Sequence, residues 1–212
     1  MEAELSPSYK HEKLENPTMT DLVDVFEDLW RNYVFSQAEL LLRTQNGDIA
    51  AMTILCPYFE AIGGYITGED TNRRAKEFFI KGFGLVFRSD SPEIHKAADA
   101  VYKYVRCGLA HEGMLGHKVH YSLEGAKTFF LTYRKASDGT LDISAGVVSI
   151  VVNPMRMFEG VIQHFNEYIR ALREAEDQGL VAAFQRTVER QWAIGSGENI
   201  IGMTEAEFLG RA

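Results

Sequence analysis

Arg106 and His111 stand five positions apart in the stretch Tyr104-Val-Arg-Cys-Gly-Leu-Ala-His-Glu-Gly113. They are the pair of side chains in this chain best suited to phosphodiester chemistry. An arginine guanidinium keeps its charge at neutral pH and grips phosphate oxygens with a planar fork. A histidine exchanges a proton near neutrality and serves as general acid or base. On an unbroken α-helix, five residues turn through about 500°, which leaves the two side chains about 140° apart. They would not share a face. Gly108 and Gly113 allow the backbone to break and swing His111 back toward Arg106, or toward a second subunit. Tyr102 and Asp99, four and seven positions before Arg106, are spaced to orient its guanidinium. Glu112, beside the histidine, completes the supporting set.

The elements that must hold this pair read as helices. Residues 1–17 are expected to form a flexible tail ending at Pro17, and residues 18–192 a single domain, followed by a tail over 193–212. Thr20-Asp21 opens a long amphipathic helix whose apolar stripe includes Leu22, Val25, Phe26, Leu29 and Tyr33, with Asn46-Gly47 as its stop. Asp48 starts a second helix, kinked by Pro57 and ended by Gly63-Gly64 and Gly68. A third covers Asn72 to Val86. A fourth starts at Ser91-Pro92-Glu93 and runs into the Arg106 stretch. The period then changes. Val119, Tyr121 and Leu123 alternate with polar residues as in a strand. Residues 128–133 read as a second, and Asp138-Gly139 as a hairpin turn before Leu141–Val152. Asn153-Pro154 restarts a helix, and a last one covers Asp177 to about Trp192. The expected architecture is mainly α, a helical bundle with a small antiparallel hairpin or meander inserted around residues 118–152.

An Arg-x4-His motif at the end of a helix in such a bundle resembles that of the HEPN superfamily (higher eukaryotes and prokaryotes nucleotide-binding). Leu109 inside the motif and the Tyr-Val before Arg106 fit the same pattern, and the resemblance spans residues 18–175. It implies a metal-independent endoribonuclease of the RNA-processing or toxin–antitoxin kind, acting as a homodimer. Arg106 would bind or polarise the scissile phosphate and His111 would transfer the proton. RNA would be the substrate and an antitoxin or other protein the partner. Cys107 departs from the pattern, because active members most often carry asparagine, aspartate or histidine there. The alternative is a non-catalytic HEPN-like dimer, an interaction or defence-accessory protein in which Arg106 and His111 pin a helix end, the arginine bonding terminal carbonyls.

Other constellations are thinner. His111, His117 and His120 offer three imidazoles, but no cysteine or clear carboxylate completes a zinc set, so no metal or other cofactor is expected. Cys107 beside Arg106 has His111 as its nearest base for nucleophilic chemistry, against a packed thiol. Gly63-Gly64 and Gly82-Phe-Gly84 follow no strand and belong to no phosphate-loop signature, and read instead as helix ends or close-packing points. Tyr121, Phe129, Phe130 and Tyr133, with Lys127, Arg134 and Lys135, offer either a base-stacking surface or a core-facing one.

Composition narrows the setting. The chain has 212 residues, 46% hydrophobic, and a formal charge of −8. That charge argues against non-specific coating of nucleic acid. It is uneven: residues 71–135 carry twelve basic and six acidic side chains, a local +6 that leaves −14 elsewhere. Two cysteines cannot frame a disulfide fold, and no apolar run is expected to reach the ~18 residues a membrane span needs. The first seventeen residues lack the apolar core of a secretory signal. A cytoplasmic protein without membrane contact is the expectation.

Overall fold

The computed structural model describes residues 5–89, 93–109, 116–194, 206 and 210. Within them the chain is mainly helical, six helices with a three-stranded mixed sheet inserted between them.

The first long helix has three sections, α1 (Met19–Asp28), a π-helical stretch (Leu29–Phe35) and α2 (Ser36–Leu42). Its start is a capping box: the Thr18 hydroxyl accepts from the Asp21 N–H, and the Asp21 carboxylate accepts from the Thr18 N–H. The next helix joins α3 (Asp48–Leu55) to α4 (Pro57–Thr67), with Pro57 at the first position of α4 where its missing N–H costs nothing. Gly68 closes α4 in the left-handed conformation, at φ 72°. Gly63 and Gly64 do not end that helix. They lie buried inside it, and Gly63 faces the backbone of α5 (Ala75–Val86) at Phe78. Gly82 of α5 faces the Phe59 carbonyl in return, so close that an added Cβ would lie 1.9 Å from that oxygen. These glycines let two helices meet backbone to backbone.

By length and composition, the 20 residues Asp48–Thr67 could cross a membrane, with a mean hydropathy of 1.4, which the reading of the sequence did not anticipate. Here the segment forms part of a protein core, 56% buried. Met52, Leu55, Phe59 and Ile62 have no exposed surface. Around them gathers a network of aromatic rings, with Phe26, Phe59, Phe83, Phe165 and Phe184 at most 1% exposed.

The helix α6 (Glu93–Ala100) continues through a second π-helical stretch, Val101–Arg106, and remains helical through Leu109. The chain thus does not break at Gly108. The change of winding comes earlier, where bonds to the fifth residue replace bonds to the fourth and widen the turn. The strands are β1 (Val119–Tyr121), β2 (Phe129–Lys135) and β3 (Leu141–Val152), in the order β1-β3-β2. β2 and β3 form the expected antiparallel hairpin, with Gly139 at φ 88° in its turn. β1 is a correction: it pairs parallel to β3, Val119 opposite Ile150 and Tyr121 opposite Val152. Alternation of side chains sets which face is buried but not which way a neighbour runs, and the 122–140 segment is long enough to carry the chain across. Val119, Ile150 and Val152 enter the core, whereas Phe130, Leu141 and Ile143 are at least half exposed.

Two capped helices follow. Asn153 accepts from the Arg156 N–H at the start of α7 (Pro154–Glu174), and Asp177 accepts from Gly179 and Leu180 at the start of α8 (Gln178–Gln191). The segment before Pro17, read from sequence as a tail, carries contacts of its own in its described part. Ser6 is buried, and its hydroxyl donates to the Asp28 carboxylate at 2.5 Å. Ser8 donates to the same carboxylate through its N–H and its hydroxyl.

Candidate functional site

Arg106 is the last residue of the π-helical stretch after α6. The wide turn places it against α4, where its Nη2 donates to Glu60 Oε2 at 3.2 Å. The two side chains are 25% and 23% exposed, so the pair is neither sealed in the core nor free in solvent. The guanidinium carbon also lies 5.6 Å from the centre of the Tyr102 ring, within cation–π range. Arg106 and Glu60 border a concavity of about 650 Å³ together with Asp70, Asn72, Thr187 and Arg190. Its far wall is tied down: Arg190 donates to the Glu69 carbonyl at 2.9 Å, and Tyr65 donates to Gln191 of the last helix.

Each expected site residue then finds a place or lies outside the described chain. Tyr102 supports Arg106 as its spacing suggested. Burial raises its hydroxyl above the ordinary tyrosine range, neighbouring Cys107 adds to the rise, and Arg106 opposes it. Asp99 does not orient Arg106. It bonds Lys76 of α5 at 2.5 Å on the solvated side of the helix, the other place its spacing left open. Seven positions amount to two α-turns, but the π winding between Asp99 and Arg106 spoils that register. His111 and Glu112 lie outside the described residues. Cys107 is half-buried. Cys56, by contrast, is fully packed, and burial pushes its thiol up to about 12.

Glu60 was missed from the sequence. The signal was present, because it is the sole charged residue between Asp48 and Glu69. A lone carboxylate on a largely buried helix needs a cation opposite it. Part of the basic character of residues 71–135 is engaged in ion pairs. Arg74 bridges Glu69 and Glu77, Lys76 meets Asp99, and Lys96 meets Glu93. The aromatic strand residues divide between the two expected surfaces. Phe129 packs on Phe83 and Phe87, Tyr133 donates to Glu93 at 2.7 Å, and Phe130 stays 56% exposed. Among the described residues, no group of three His, Cys, Asp or Glu side chains is placed to hold a metal ion.

No protein-family model, curated protein or solved structure matches this chain.

Proposed function

We propose that the chain is a HEPN-like endoribonuclease of the RNA-processing or toxin-like kind, acting as a cytoplasmic homodimer. The observation that supports this reading is the setting of Arg106. It borders an open concavity, keeps a quarter of its surface exposed, and has a ring and a carboxylate to hold its fork in one orientation. A fixed cation at a solvent-accessible edge suits a phosphate whose negative charge grows during reaction. In the proposed step, the ribose 2′-oxygen attacks the adjacent phosphorus and the bond to the 5′-oxygen breaks. His111 of either subunit takes the 2′ proton or supplies one to the leaving oxygen. Arg106 holds the non-bridging oxygens, and no step calls for a metal. Two motifs meet across the dimer.

One observation favours a second reading, a non-catalytic HEPN-like dimer that serves as an interaction or defence-accessory protein. Glu60 already neutralises Arg106 at 3.2 Å, which is what a helix-pinning pair requires. A single set of variants separates the two. Under the nuclease reading, Arg106→Ala and His111→Ala each lower cleavage of a structured RNA, in EDTA, by at least about 100-fold, with unchanged melting temperature. Under the second reading, wild type does not cleave and Arg106→Ala lowers the melting temperature or dissociates the dimer in light scattering.

A further inference from the structure

A cleft of about 870 Å³ opens between the end of α5, the start of α6, β2 and α7, and shares no lining residue with the Arg106 concavity. Small-molecule sites commonly enclose roughly 300–1,000 Å³. Its lining is mixed, with a cluster of aromatic and aliphatic side chains set among charged ones. Phe87 and Phe129 meet edge to face with ring centres 5.7 Å apart, beside Ile94 and Leu131. The Phe87 ring lies directly on α7 because Gly160 has no Cβ there; one would stand 2.5 Å from the ring.

His164 of α7 lines this cleft. Its Nδ1 is 2.8 Å from the Tyr58 hydroxyl, and the residue is only 6% exposed. Nδ1 is the one described partner of the Tyr58 hydroxyl, whose proton burial holds in place, so the arrangement that satisfies this buried O–H has it donating to Nδ1. Burial, with the charge of nearby Arg88 adding to it, lowers the imidazole to about 4, so the ring is neutral. The one remaining ring proton therefore sits on Nε2 as a donor. No described residue accepts it.

The charges on the rim point to a ligand. Glu159 is taken by Arg156 at 2.7 Å, and Glu93 accepts from Tyr133 and Lys96. Arg88 is 76% exposed, and Glu167 approaches it only to 3.8 Å. Lys127 makes no ion pair among the described residues. Three basic and three acidic side chains in the lining cancel, which disfavours a dianion while leaving two loosely held cations beside a neutral N–H.

We propose that this cleft binds a small aromatic monocarboxylate, its ring against the wall formed by Phe87, Phe129 and Ile94 and its carboxylate on His164 Nε2, Arg88 and Lys127. Calorimetry on the full chain tests it with three probes of one shape: 1-naphthoate, neutral 1-naphthalenemethanol and dianionic 1-naphthyl phosphate. Naphthoate binds with Kd below about 1 mM, at least tenfold tighter than the other two. Arg88→Gln with Lys127→Gln, both on exposed side chains, removes at least tenfold of that affinity and leaves the melting temperature in place. Arg106→Ala leaves naphthoate binding unchanged. Equal binding of naphthoate and the alcohol, tighter binding of the phosphate, no binding of naphthoate, or full affinity in the double variant would overturn the assignment.

Discussion

At the Arg106 concavity the cation has a carboxylate at 3.2 Å and a quarter of its surface exposed. In the cleft beside α7, Arg88 is three-quarters exposed and its nearest carboxylate stands at 3.8 Å. The first site is bordered by tied-down helix ends; the second sets aromatic rings and a balanced group of charges around a buried histidine. A cation that already has its partner must give something up before it meets a phosphate. A loosely held cation gives up little. The region that the sequence advertised is thus the more self-satisfied of the two, and the cleft that no motif marked holds its cations more loosely.

The largest expected effect breaks both regions together. Gly82→Ala forces a Cβ against the Phe59 carbonyl and parts α4, which carries Glu60, from α5, which ends in the cleft. Urea unfolding should show a loss of about 3 kcal/mol, at the upper end for overpacking. A neutral result would mean that the helix crossing is not close-packed.

The next effect belongs to the cleft alone. The His164 pKa is lowered to about 4 from an ordinary value near 6.5, so between these values the unfolded chain binds a proton that the folded chain refuses. Its contribution is intact above the unfolded value and is lost as pH falls toward 4, at most about 3 kcal/mol for a shift of this size. The stability difference between wild type and His164→Gln, followed from pH 7.5 to 4.5, should shrink as the pH falls. A constant difference would show that the ring is not held neutral.

The smallest effect sharpens the reading of Arg106. Glu60→Gln removes a partly exposed ion pair, and its stability cost should stay within about 1 kcal/mol. The same change frees the guanidinium, so under the nuclease reading RNA affinity, measured by filter binding, rises several-fold. Unchanged affinity with a lowered melting temperature would favour the helix-pinning role.

Much of the fold was legible because its signals are local. Asn153-Pro154, Asp177 and Asp138-Gly139 each act on residues within three or four positions, and the structure uses each at the expected place. For the interior glycines of α4 and α5 the sequence left two roles open, helix end or close-packing point, because the choice depends on a helix that passes outside the local window; the structure takes the second. The parallel direction of β1 was hidden for the same reason. At the candidate site, Tyr102 was legible from spacing, whereas Asp99 was lost to a change of winding that leaves no plain mark in the sequence. Glu60 and His164 were each visible as a polar residue on a buried stripe. What each one pairs with, Arg106 across 46 positions and Tyr58 across 106, is decided by packing alone.

The parallel strand carries a consequence for the order of assembly. β1 touches the sheet only through Ile150, Val151 and Val152, the last three residues of β3, with no other strand beside it. Its pairing closes a loop of about thirty residues, which is entropically slower to reach than the tight hairpin that builds β2 against β3. The hairpin therefore forms first and offers its edge, and β1 docks afterwards. Pulse-labelled amide exchange during refolding would record this as late protection at Val119–Tyr121, after β2 and β3 are already shielded. β1 thus receives its fixed position near the end of folding.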